Sequence, residues 1–106
     1  MQPIKRQELE DMNGSEKRDF VLINVLAPEA FRKNHIRTSV NIPATLSDFE
    51  AQVERVAGGK ERPVVLYCAN FECPASTDAA EKLDAAGFQH VYDYEGGAED
   101  WLAHHH

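Results

Sequence analysis

Cysteine is nearly absent from this chain of 106 residues: there are two, Cys68 and Cys73. With no apolar leader-like segment beside them, they point to a reducing compartment where thiols stay thiols, so the cytoplasm is the expected location. Long hydrophobic runs are missing too. The longest runs, such as Phe20 to Val25 broken by Asn24, fall far short of the roughly 20 residues that a membrane helix needs. Positive charge is scarce, with 11 Lys and Arg against 18 Asp and Glu and a formal net charge of −7. That balance argues against a nucleic-acid footprint and predicts long-range repulsion of small anions. The cysteines and the scattered internal histidines have no metal-ligand spacing, so no metal and no cofactor is expected.

What is present fits one domain over residues 1–103, large enough to bury roughly 60–70% of its unfolded surface without cross-links or metals. His104, His105 and His106 follow Trp101-Leu102-Ala103 and read as an affinity-tag remnant outside that domain.

Apolar periodicity divides the chain into alternating strands and helices. Gln2 to Ile4 reads as an edge strand, and Arg6 to Met12 as a brief helix capped by Asn13-Gly14. Phe20 to Val25 is too continuously apolar for a half-exposed strand and reads as a central one. Pro28 starts a short helix with Phe31 inward, ending at His35-Ile36, before a short strand Val40-Asn41-Ile42-Pro43. Thr45 or Ser47 caps the next helix, whose inward face is read as Leu46, Phe49, Val53 and Val56, with Gly58-Gly59 as its stop. Pro63 to Tyr67 is a second buried strand. Ala75 to Ala86 is a helix with Ala75, Ala79, Ala80, Leu83 and Ala86 together, stopped by Gly87. Gln89 to Tyr94 is the last strand, Glu95-Gly96-Gly97 a turn and Ala98 to Leu102 a helical turn. Such alternation implies a parallel sheet with helices on both faces, and ligands at the carboxyl ends of its strands.

The richest stretch is Val64-Val65-Leu66-Tyr67-Cys68-Ala69-Asn70-Phe71-Glu72-Cys73-Pro74, where a buried strand ends on a cysteine, a loop follows and a helix begins. A thiolate there would be favoured by unpaired amides and the helix dipole; alternatively, Cys68 is a small hydrophobe closing the strand.

The segments Leu22-Ile23-Asn24-Val25, Pro28-Glu29-Ala30-Phe31 with His35-Ile36, Val40-Asn41-Ile42-Pro43, Val64 to Cys68, Ala86-Gly87-Phe88 and Glu95-Gly96-Gly97 through Trp101 are matched in this order and spacing by one family. On these segments the chain resembles the rhodanese-like domain. The resemblance implies an α/β three-layer sandwich with a central, mainly parallel five-stranded sheet. It also implies a sulfurtransferase in which Cys68 is the catalytic residue, carrying sulfane sulfur as a persulfide that the loop Ala69, Asn70, Phe71, Glu72 and Cys73 would cradle.

Two departures from the family pattern matter. The aspartate and arginine that many active members carry are Asn24 and Leu26 here, so any structural ion pair must be arranged otherwise. The loop after Cys68 has no Arg or Lys, and Glu72 opposes an oxyanion, so a protein or low-molecular-weight persulfide is expected as sulfur donor ahead of thiosulfate, with a thiol as acceptor. The alternatives are a catalytically weak binding or regulatory module, with a partner protein at the Phe71 loop, and a dithiol redox switch. In the switch, Cys73 is the resolving thiol, unless it is only a small residue at a helix start. Phosphatase chemistry is disfavoured because the position six after the cysteine, where an arginine would hold phosphate, is Pro74. His35 is expected to be structural and His90 to lie at the surface, while Asn70 either serves substrate or satisfies local backbone.

Overall fold

The computed structural model describes residues 1–14 and 19–104. Five strands, β1 (Gln2–Ile4), β2 (Val21–Asn24), β3 (Val40–Asn41), β4 (Val64–Tyr67) and β5 (Val91–Tyr94), form one sheet in the order β1-β5-β4-β2-β3. Every neighbouring pair is parallel, so the sheet is parallel throughout. The middle strand β4 and its neighbour β2 are the two most continuously apolar runs, as burial on both faces favours.

Helices cover both faces. On one side α3 (Phe49–Ala57) and α4 (Ala75–Ala85) pack Phe49, Val53, Ala79, Ala80 and Leu83 over Ile23, Val64, Leu66 and Val91. On the other, α1 (Arg6–Gly14) and α5 (Gly97–His104) bring Leu9, Ala98 and Trp101 against Leu22, Val65, Tyr67 and Tyr94. The alternation along β4 sends Val64, Leu66 and, one residue beyond the strand, Cys68 to the α3/α4 face. The alanines of α4 are the reason that helix can press closely on the strands leading to Cys68.

Several expectations from the sequence need correction. The inward face of α3 is Phe49, Val53 and Ala57; Leu46 and Val56 are exposed. The helix starts only at Phe49, leaving Leu46 in the preceding turn, and neither Thr45 nor Ser47 caps it, since Asp48 holds the cap position without a side-chain bond. α2 (Pro28–Lys33) has no buried residue, and Phe31 is half-buried, stacked on the His35 ring at 4.1 Å. α1 runs through Asn13 and Gly14 instead of being capped by them, and β3 is only two residues long. Among the described residues, no helix is long and apolar enough to cross a membrane. His104 closes α5, while His105 and His106, also read as a tag remnant, lie outside the described residues.

Candidate active site at the end of strand β4

Cys68 stands at the carboxyl edge of the sheet and is 1% exposed. Its backbone is clamped by the start of α5. The Ala98 amide donates to the Cys68 carbonyl at 2.9 Å, and the Glu99 amide donates to the Ala69 carbonyl at 2.9 Å. Gly97 makes this approach feasible. It has φ +68°, and a Cβ there would stand 2.5 Å from the Cys68 carbonyl oxygen and 2.7 Å from both the Ala69 carbonyl carbon and the Asn70 nitrogen. Only glycine combines that backbone conformation with that contact.

The loop then folds back through Asn70. Its Oδ1 accepts from the Glu72 amide at 3.0 Å, its carbonyl accepts from the Cys73 amide at 3.2 Å, and its Nδ2 donates to Glu99 Oε2 at 3.4 Å. Asn70 therefore serves the local backbone, as asparagine does in tight turns. The turn returns Cys73 to Cys68, and the two are joined in a disulfide with a Cα–Cα separation of 6.4 Å. That separation lies within the usual range for a disulfide. The Cys68 Sγ also lies 3.3 Å from the Cys73 carbonyl oxygen. The expected ring of amides is thus only partly available. Those of Glu72 and Cys73 are spent inside the turn, while those of Ala69, Asn70 and Phe71 have no partner among the described residues.

Glu72 is a solvated charge and Phe71 is 71% exposed at the loop tip. Phe71 borders a cavity of about 370 Å³ with Ile4, Arg6, Tyr94 and Asp100. His35 is structural, its Nδ1 2.7 Å from the Phe31 carbonyl oxygen, and His90 is exposed just before β5.

The missing family ion pair is replaced by neutral amides. Asn24 Oδ1 accepts from the Leu26 amide at 2.9 Å, and Asn41 Nδ2 donates to the Leu26 carbonyl at 2.8 Å and to the Asn24 carbonyl at 3.2 Å. Sequence reading did not single out Asn41, although its place in the short strand beside Asn24 was a usable signal. It also missed three other features. Asp93, 1% exposed on β5, accepts from Thr77 Oγ1 of α4 at 2.7 Å through Oδ2, while its buried Oδ1 has no partner among the described residues. Tyr94 donates to Asp100 Oδ2 at 2.5 Å, and burial, reinforced by that carboxylate, pushes its hydroxyl far above the ordinary phenol range. A cavity of about 460 Å³ between α2 and α5 is lined by Leu26, Ala30, Lys33, Ala69, Glu99 and Leu102.

Comparison with known proteins agrees with this architecture. A family model described as rhodanese-like domain matches residues 5–104. The thiosulfate sulfurtransferase GlpE of Coxiella burnetii is 32% identical over 90 residues, covering 84% of this chain and 78% of its own. The thiosulfate sulfurtransferase GlpE of Pseudomonas syringae is 31% identical over 102 residues, covering 95% and 90%. The human single-domain sulfurtransferase TSTD1 superposes with a TM-score of 0.79 at 19% identity, covering 100% of this chain and 99% of that one. With the family model spanning nearly the whole sequence and the same fold in the solved relative, the chain belongs to the rhodanese-like domain family.

Proposed function

We propose that this enzyme, a sulfurtransferase by family, carries sulfane sulfur as a persulfide on Cys68. The observation that supports this reading is the placement of Cys68. It lies at the carboxyl edge of a parallel sheet, with its carbonyl held by α5 and its loop leading into α4. Ligands of parallel sheets gather at that edge. In the forward half-reaction the Cys68 thiolate attacks the outer sulfur of a donor persulfide, a bond forms between the two sulfurs, and the donor leaves as thiolate. In the second half an acceptor thiolate attacks the outer sulfur of the Cys68 persulfide and regenerates the Cys68 thiolate. The Ala69, Asn70 and Phe71 amides are the donors available to an anionic sulfur in this loop.

The donor is a protein or low-molecular-weight persulfide in preference to thiosulfate. Residues 69–72 supply no cation, and Glu72 adds a negative charge beside the site. Lys33 lines the cavity on the α5 side of the sheet, whereas Cys68 faces α3 and α4. A divalent anion feels roughly twice the repulsion that a monovalent persulfide does. The expected compartment is the cytoplasm, where the required thiols stay reduced.

The test is intact-mass analysis of the reduced Cys73→Ser protein, in which no second thiol can close on Cys68, after exposure to glutathione persulfide or thiosulfate. Cys68 should gain one sulfur atom, more readily from the persulfide, and Cys68→Ser should gain none. A Cys68→Ser protein that transfers sulfur at the unmodified rate refutes the assignment. Faster loading from thiosulfate refutes the donor preference.

A further inference from the structure

We propose that Cys73 resolves the Cys68 persulfide, so that the domain also reduces sulfane sulfur to hydrosulfide; this rests on the persulfide reading above. The geometry behind it is the closed turn at residues 68–73. Asn70 accepts from the amides of both Glu72 and Cys73, through its side chain and its carbonyl respectively, and so fixes Cys73 over Cys68, and the two sulfurs are bonded. α5 holds the other end of the loop through Ala98 and Glu99. The two cysteines therefore meet on a clamped backbone. Cys73 is itself half-buried, packed against the core cluster that contains Cys68, and Pro74 restricts the chain just after it.

The step balances with the groups present. The Cys73 thiolate attacks Sγ of Cys68, the inner sulfur of the persulfide. A bond forms between the two cysteine sulfurs, the bond to the outer sulfur breaks, and that sulfur leaves as hydrosulfide. The two cysteine sulfurs are oxidised and the sulfane sulfur is reduced, so the persulfide is the oxidant. The proton released by Cys73 goes to solvent or to hydrosulfide. An external dithiol then reopens the Cys68–Cys73 bond by exchange and becomes a disulfide itself. An intramolecular thiol acts at an effective concentration that a freely diffusing acceptor matches only when it is bound beside the site. Resolution is therefore the default fate of an unclaimed persulfide. It also closes the site, because Cys68 in the disulfide form is 1% exposed and its sulfur already has a partner.

The experiment uses the full chain, reduced, freed of reductant and kept under nitrogen, with one equivalent of glutathione persulfide as the probe. The wild type should end as the disulfide, two hydrogens lighter than the dithiol, with close to one equivalent of hydrosulfide released. Cys73→Ser and Cys73→Ala should instead hold one extra sulfur on Cys68 and release hydrosulfide only when an external thiol is added. With excess dithiol the wild type should turn over repeatedly. If the wild type keeps the extra sulfur, or forms the disulfide without releasing hydrosulfide, the resolving role is overturned while the persulfide reading stands. If the Cys73 variants take up no sulfur, the persulfide reading fails, and this inference with it.

Discussion

Replacing Gly97 with alanine tests whether α5 holds the cysteine loop. Gly97 and Gly87 both adopt positive φ, +68° and +94°, so alanine at either pays a left-handed backbone penalty of about 1–2 kcal/mol. They differ in space. A Cβ at Gly87 meets nothing within 4 Å, whereas at Gly97 it falls 2.5–2.7 Å from three backbone atoms of Cys68, Ala69 and Asn70. Backbone clamped by two hydrogen bonds does not yield cheaply, and overpacking adds about 1–3 kcal/mol. Gly97→Ala should therefore lose about 2–5 kcal/mol, a large part of a small domain's stability, and Gly87→Ala only the smaller conformational share. Urea unfolding of both variants with excess dithiol, which removes any contribution from the disulfide, measures the difference. Sulfur loading of Cys68 should drop in Gly97→Ala and stay at the wild-type rate in Gly87→Ala. Equal destabilisation of the two variants would refute the clamp.

Three further outcomes are expected. Tyr94 keeps its proton in the folded state to higher pH than in the unfolded state, so above about pH 10 the unfolded chain binds fewer protons and stability falls by up to about 1.4 kcal/mol per pH unit. Tyr94→Phe should remove that component of the alkaline slope in denaturation curves run from pH 9 upward, and an unchanged slope counts against it. Thr77→Val strips the buried Asp93 carboxylate of its hydroxyl donor and should cost about 2–3 kcal/mol in chemical denaturation, with Thr77→Ser near wild type. On α3, Val53→Ala should cost about 2 kcal/mol and the exposed Val56→Ala less than about 0.5 kcal/mol, and the reverse order would contradict the observed helix face.

Strand identity was legible where burial on both faces leaves a nearly continuous apolar run, as at Val21–Ile23 and Val64–Tyr67, and Cys68 was located because the second run stops at it. The face of α3 was not. Leu46, Phe49, Val53 and Val56 satisfy helical spacing, but a nine-residue helix buries a narrower stripe, Phe49, Val53 and Ala57, and takes the smaller residue. The meeting of Cys68 and Cys73 depends on Asn70 hydrogen bonds that residue spacing alone does not encode. The grip of Gly97 on that loop lies further out of reach, because it joins segments nearly thirty residues apart through a contact made only in the folded sheet. The Asn24–Asn41 network illustrates the same limit, since a missing ion pair is visible in sequence and its neutral substitute is not.

The pairing of β1 with β5 has a consequence for how the domain is born. Gln2 aligns with Tyr92 and Ile4 with Tyr94, so the first strand of this domain docks against its last. At ordinary ribosomal speeds β1 waits roughly 5–20 s for its partner. Until then the nascent chain can assemble only the sheet from β2 to β4, and β5 on arrival docks on β4 and gives β1 its place at the outer edge, while α5 takes hold of the cysteine loop. The turn that carries Cys68 and Cys73 is therefore among the last parts of the domain to be secured.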